Sequence, residues 1–444
     1  MADYLAHAEN YPVLPQIKPG QLIDALPRCG PEHGEPMSDI LEDFRRQIVP
    51  AATHWNHPGF MAYFATSASG PGILGEMLAA TLNLNGMLWK TSPAVVELEQ
   101  VTLDWFRRWM GLPDGLFGII FDTASTSSMH AIAAAREMAA PEVRAEGAGA
   151  GLILYTSEQA HSSIEKGAIA IGIGQKNVRK IPVDAEFRMR SDALEAAIDT
   201  DRARGLRPFC IVATVGTTST TSMDPVEAIA SIAERYGVWL HVDAAYAGAA
   251  AIAPEFQFIL KGCERADSFV TNPHKWLFTP VDLSALYTRR PEILRRAFSL
   301  VPEYLRTAEE ARAVNYMDYG VPLGRRFRAL KLWFVLRYYG REGIAGIIRN
   351  QIGSAQELAR QMDEHPLFER IAPTPLSTVC FRFKGTDDEN RAILDGVNAS
   401  GEVFLSQTVL NGRYCLRVAI GNIGTARAHV QRAWELVQSF APAR

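Results

Sequence analysis

With 444 residues, 48% apolar and 21% charged, the chain has the balance of an ordinary soluble globular protein of roughly two or three domains. Its 45 Lys and Arg against 49 Asp and Glu leave a formal net charge of −4, which excludes the basic surplus a general nucleic-acid binder needs. No run approaches the ~18 consecutive apolar residues of a membrane span, MADYLAHAEN lacks the flank and core of a signal peptide, and five scattered cysteines without a CxxC pair point to a reducing cytoplasm rather than a disulfide framework or a zinc site.

Residues 1–66 form a Pro-rich N-terminal segment with one clear helix in SDILEDFRRQIVP, where Ser38 is the expected N-cap, Ile40, Leu41, Phe44 and Ile48 make an apolar stripe, and Pro50 is the stop. So little core of its own implies that this stripe packs against the main body or a second subunit. Between 67 and 330 the pattern alternates strand and helix. Apolar runs stand at 151–157, 209–216, 238–246 and 268–272, the last three starting roughly one βα unit apart. SDALEAAIDTDRARG and DPVEAIASIAERYG read as crossover helices, the second opening on Asp224-Pro225 and closing on Gly237. Such an arrangement predicts an α/β fold with a mostly parallel central sheet covered on both faces. ATSASGPGILGEM (65–77) has neither the Lys of a phosphate loop nor a G-x-G-x-x-G spacing, and reads as a turn. Residues 331–444 change character: a long helix, ALKLWFVLRYYG, precedes shorter strands at 378–383 and 413–420 and a terminal helix near 426–440, which predicts a small α+β domain. No histidine pair has metal-ligand spacing, so no metal is expected.

Chemistry concentrates at the ends of the predicted strands. HVDAAYAG (241–248) puts Asp243 at the end of one strand, and TNPHKW (271–276) puts Lys275 just past the next. Ligands bind at the C-terminal edge of a parallel sheet. Either residue alone reads as a turn cap or a solvated loop residue; together they supply the amine and the carboxylate that pyridoxal phosphate (PLP) requires. In FDTASTSSMHAIAAARE (121–137), Thr123, Ala124, Ser125 and Thr126 open a small-residue helix, as a phosphate cradle or a plain Ser/Thr cap would. His161, in QAHSSIEKG after another strand, can stack on a flat cofactor, shuttle a proton or cap a helix, and Thr218 stands at a fourth strand end.

These motifs closely resemble the aromatic-L-amino-acid decarboxylases, a branch of the group II PLP-dependent decarboxylases. THWNHPGFMAYF (53–64), SPAVVELEQVTLDW (92–105), FCIVATVGTTS (209–219), ADSF (266–269), PLGRRFRALKLWF (322–334) and HVQRAWEL (429–436) all look like family blocks in family order. The resemblance implies a fold-type I PLP enzyme working as a homodimer, with Lys275 holding PLP, Asp243 pairing with its ring nitrogen, and His161 and Ala245 on its two faces. Ala124, Ser125, Asn272 and His274 would hold the phosphate. Tyr304 matches the family tyrosine that returns a proton to the substrate Cα after CO2 leaves; Phe, or Asn in place of the stacking histidine, marks the related aldehyde synthases. An aminotransferase on the same fold does not match the block order, and a catalytically dead scaffold would have lost Lys275 or Asp243.

For the substrate, the resemblance points to Trp55, Phe64, Thr66, Asn85, Met87 and Gly324, with Phe64, Met87 and Trp89 contributing across the dimer interface. Gly324 leaves room for a larger ring than the Ser of histidine-selective relatives, and Thr66 matches a threonine near catechol hydroxyls. Tryptophan- or phenylalanine-type substrates are therefore expected well ahead of histidine and glutamate. Asn85, where a branched apolar residue is usual, Met87 and Pro280 depart from the family pattern.

Overall fold

Seven strands build the central sheet of the computed structural model, which describes residues 2–147, 149, 151–300 and 312–443. They are β1 (Phe117–Phe121), β2 (Leu152–Ser157), β3 (Val178–Ile181), β4 (Arg207–Thr214), β5 (Trp239–Asp243), β6 (Ser268–Thr271) and β7 (Ser284–Thr288). Their order across the sheet is β1-β7-β6-β5-β4-β2-β3, and β7 alone runs antiparallel to its neighbours. The mostly parallel sheet expected from the apolar runs is present. β1, β3 and β7 are additions that periodicity had not marked.

Alternation along the strands divides the core in two. Ile153, Tyr155, Ile211, Ala213, Leu240 and Val242 face one side, where the helices Pro93–Met110, Ser191–Ala203 and Val226–Tyr236 pack. Leu152, Leu154, Cys210, Val212 and Trp239 face the other, under Ala124–Ala139, Ser162–Ala170 and Pro291–Phe298. Side chains two apart share a face, so a strand apolar at every position is buried on both. A second, antiparallel sheet follows in the order β10-β11-β9-β8, made of β8 (Phe368–Arg370), β9 (Thr378–Phe383), β10 (Ser406–Leu410) and β11 (Arg413–Ala419). With the helices Asp387–Ala399 and Arg427–Ser439 it forms the small α+β unit. Among the described residues no helix is long and apolar enough to cross a membrane.

Several local expectations change. The helix in the N-terminal segment begins at Met37 with Pro36 at the cap position, while the Ser38 hydroxyl bonds its neighbour Asp39. The stretch read as a turn near 70 is the helix Gly70–Leu82, with Pro71 in its first turn. Its glycines serve packing: a Cβ on Gly72 would stand 2.5 Å from Pro280, and one on Gly75 would stand 2.7 Å from the Lys331 backbone. Asp224 does not cap the helix after it; its carboxyl accepts from the backbone N–H groups of Met189 (2.7 Å) and Thr214 (2.8 Å), which ties the end of β4 to the loop beside it. The long helix that begins at Arg328 breaks at Gly340, where φ 62 and ψ 175 leave the helical region and glycine carries no Cβ penalty, and a second helical stretch continues to Glu364.

Candidate active site

Four strand ends and one helix N-terminus converge on a cavity of about 240 Å³. β4 and β5 are paired with Thr214 opposite Asp243, and β5 pairs in turn with β6, which leads through Asn272 into the turn Pro273–Trp276 that carries Lys275. Proline at the first helical position is pre-set for that turn and has no N–H to leave unsatisfied. β2 leads to His161, and the helix Ala124–Ala139 points its N-terminus inward. The cavity is lined by Ala124, Ser125, His161, Thr218, Asp243, Ala245, Asn272, His274 and Lys275, all anticipated as cofactor-binding, and by Phe64, which was expected to reach across a dimer interface but instead lines the cavity of its own chain, beside Lys275. Thr123, expected at the helix start, lines it too, as do Ser163, Thr214, Gly216 and Tyr246, which were not singled out. Tyr246 lay within the HVDAAYAG motif and Thr214 at a strand end, so strand-end position was the signal available for both.

Local bonds decide how each group presents itself. Asp243 Oδ1 accepts from the Ala245 N–H at 3.0 Å, which orients the carboxyl from the turn that follows it. His161 caps its helix: Nδ1 accepts from the Ser163 N–H at 3.2 Å, so the neutral ring carries its proton on Nε2. Burial first, then the Lys275 charge, lowers the basicity of His161, against the pull of Asp243. The cap reading and the cofactor-facing reading are thus compatible, one nitrogen serving each. His274 Nδ1 likewise accepts, from the Leu283 N–H at 3.0 Å, and burial takes this ring down to about 3, so it is neutral with its proton on Nε2. Burial also lowers Lys275, with Asp243 opposing and Arg417 reinforcing the effect. The Lys275 ammonium position lies 5.4 Å from the centroid of Phe64, which stacks on Tyr246 at 3.7 Å, and Tyr246 stacks in turn on Trp276 at 4.5 Å.

Other anticipated residues stand apart from this cavity. Trp55 is partly exposed and stacks on Phe60 at 4.2 Å, and Thr66 is half-buried. Asn85 is exposed and accepts from the Arg325 N–H at 2.9 Å; a Cβ on Gly324 would stand 3.8 Å from its amide. Met87 and Trp89 are half-buried. Tyr304 lies outside the described residues.

The residues present fit PLP. Asn272 Oδ1 and Thr214 Oγ1 are buried without a hydrogen-bond partner, an arrangement folded proteins rarely tolerate unless a ligand or water completes it. Asn272 Nδ2 stands 3.3 Å from the protonated Nε2 of His274, donor against donor. Exchanging the amide oxygen and nitrogen pairs that proton with Oδ1 and frees Nδ2 as a donor. The N–H groups of Ala124 and Ser125, at the first two helical positions, have no acceptor within the helix, so they and the helix dipole suit a phosphate. Lys275 and Asp243 supply the amine and carboxylate the cofactor needs.

Comparison with known proteins agrees. A family model described as the pyridoxal-dependent decarboxylase conserved domain matches residues 19–384. The chain is 41% identical to a phenylacetaldehyde synthase of Arabidopsis thaliana, covering 99% of this chain and 93% of the relative. It is also 41% identical to tyrosine decarboxylase 4 of Petroselinum crispum, covering 100% and 91%. Among solved structures it resembles the Oryza sativa TDC with PLP and tryptamine, at a TM-score of 0.96 and 36% identity over 99% of this chain and 94% of that one.

Proposed function

The chain belongs to the pyridoxal-dependent decarboxylases, enzymes that use PLP as carboxy-lyases, and from that premise we propose that it converts aromatic L-amino acids to arylalkylamines and CO2. The observation that carries this reading is the meeting of Lys275, Asp243, His161 and the Ala124–Ser125 helix end in one cavity.

Bound PLP supplies an electron sink for the pair left behind by the departing CO2. Lys275 is the residue that would hold the cofactor covalently. Its burial favours the neutral amine, the form that attacks a carbonyl. Asp243 would supply the negative charge that favours a proton on the ring nitrogen. His161, neutral and with its Nε2 proton away from the cap, and Ala245 both line the cavity and would enclose the cofactor ring. Ala124, Ser125, Asn272, His274 and Thr218 hold the cofactor's polar groups. Tyr304 carries the proton destined for the substrate Cα, and its presence with His161 favours amine over aldehyde as the product.

Thr66 and Gly324 support aromatic rings of the indole, phenyl or catechol kind ahead of histidine and glutamate. A homodimer is supported by the exposed stripe Ile40, Leu41, Phe44 and Ile48 and by exposed Leu74, Met77, Leu78 and Leu82 on the helix Gly70–Leu82. That stripe is not buried within this chain, which leaves the second subunit as its cover, as obligate interfaces resemble a core cut in half.

The test has three parts. Borohydride reduction followed by peptide mapping should place PLP on Lys275, and Lys275→Ala should abolish both the adduct and turnover. Amine, CO2, ammonia and peroxide yields over tryptophan, tyrosine, dihydroxyphenylalanine, phenylalanine, histidine and glutamate should show amine and CO2 from the aromatic set. An adduct on another lysine, or a clear preference for histidine or glutamate, overturns the reading. A fully active monomer in sedimentation overturns the dimer.

A further inference from the structure

Arg417, on β11 of the small sheet, is 3% exposed and lies against Phe64, a residue of the cavity wall. Its Nε donates to the Ser219 carbonyl at 3.1 Å, and its Nη1 donates to the Tyr63 carbonyl at 2.5 Å and the Ser406 hydroxyl at 3.5 Å. Its Nη2 is buried without a partner, and no carboxylate among the described residues pairs with the guanidinium. The group sits against Phe64, with Cζ 4.7 Å from the ring centroid, the same ring that Lys275 Nζ approaches to 5.4 Å. Phe64 cannot drift, because it is stacked on Tyr246 and Tyr246 on Trp276. Two cationic side chains are therefore held beside one aromatic ring in a buried setting where only one, the lysine, can give up its proton.

We propose that Arg417 is a positioning residue that keeps the Lys275 amine neutral and ready to capture PLP, while its bonds to Tyr63 and Ser219 hold the Phe64 wall in place. A fixed neighbouring cation in dry surroundings is a general way to activate a lysine nucleophile. The groups facing Lys275 set the balance. Asp243 on β5 favours the ammonium form, whereas Arg417 on β11 and burial oppose it. His161 and His274 are lowered below their ordinary value and add no charge at neutral pH, and Tyr246 is raised and stays protonated. Among the described residues Arg417 is thus the permanent cation set against Asp243. The inference rests on Lys275 being the lysine that holds the cofactor.

The test uses the full-length chain prepared without PLP and follows the visible band of the lysine-bound cofactor as PLP is added across the neutral to alkaline range. The wild type should capture PLP with a midpoint well below the ordinary lysine value of about 10.4. Arg417→Met should move that midpoint up by about one unit, slowing capture about tenfold at neutral pH, since one unit is a tenfold change in the neutral fraction. Arg417→Lys, which keeps the charge and loses the fork of bonds, should stay near the wild-type midpoint. A merely structural role would lower thermal stability in both variants and leave the midpoint where it was. An ordinary lysine midpoint in the wild type, an unmoved midpoint in Arg417→Met, or equal shifts in both variants overturns the proposal. Should Arg417→Met fail to fold, Arg417→Gln, which removes the charge and keeps amide donors for the Tyr63 and Ser219 carbonyls, should raise the midpoint in the same way, and an unmoved midpoint there overturns the proposal. A borohydride adduct on another lysine overturns the site assignment as well; an adduct on Lys275 with an unmoved midpoint overturns this inference alone.

Discussion

Removing the Glu99 carboxylate should cost both stability and cofactor retention. Glu99 is 1% exposed on the helix Pro93–Met110, and its Oε1 accepts from the Arg325 guanidinium at 2.6 Å and the Ile120 N–H at 2.8 Å. Arg325 also donates to the Ile120 carbonyl at 3.1 Å and lies over the Tyr316 ring at 4.6 Å. Glu99→Ala leaves a buried guanidinium without its counter-charge and a backbone N–H without its acceptor. Breaking one side of a buried pair costs about 3–5 kcal/mol. An unfolding entropy of about 2.1 cal/mol/K per residue gives a chain of 444 residues close to 1 kcal/mol/K, so the unfolding midpoint should fall by about 3–5 °C. Glu99→Gln keeps an oxygen for Ile120 and should lose less. Ile120 lies on β1 just before Thr123 and the helix start at Ala124, so the cradle should loosen and PLP should be lost faster on dilution. Calorimetry and cofactor retention check the two halves. A wild-type midpoint in Glu99→Ala refutes the energetic argument, and a lowered midpoint with unchanged retention refutes the link to the cradle.

Asp243→Asn retains an oxygen for the Ala245 N–H and so the fold, but loses the charge; turnover should drop at least ~100-fold, with native circular dichroism as the control, and near-normal turnover would contradict the role assigned to Asp243. Tyr304→Phe should shift product from amine toward aldehyde, ammonia and peroxide, and a wild type that already yields mostly aldehyde would overturn the decarboxylase reading. Acid should destabilise the protein through its buried histidines. Burial lowers His130 and His241 to about 4 and His274 to about 3, below the unfolded value of about 6.5, so the unfolded chain binds the extra protons and stability falls as pH drops through that window. Asp224, pushed up to about 6 from an unfolded value of about 3.9, has the opposite sign, but one carboxyl is outweighed by three imidazoles. Urea midpoints at neutral pH and near pH 5 should differ accordingly, and equal midpoints would refute the sign.

The linear sequence determined what depends on neighbours along the chain. Apolar runs with helical crossovers require a parallel sheet, and a parallel sheet presents its strand ends on one edge, so Asp243, Lys275, His161 and Thr218 are assigned to one place by the sequence alone. The Ala124–Ser125 helix start was legible for the same reason, since small hydroxyl residues before a helical run mark its cap. Tertiary structure decided what depends on residues distant in sequence. Nothing local shows that β7 inserts antiparallel between β1 and β6, because its pairing is chosen by packing rather than by its own apolar pattern. The helix Gly70–Leu82 hid behind interior glycines, Gly72 and Gly75, that are unfavourable in isolation and are explained only by the close approach of Pro280 and Lys331. The cap on His161 was one open alternative in the sequence; that it leaves Nε2 free required the Ser163 bond to be seen. Arg417 gave no signal at all, as an arginine in a strand of the small sheet looks like any other. Its meeting with Phe64 and Lys275 joins three segments far apart in sequence, and only tertiary packing brings those charges to a single ring.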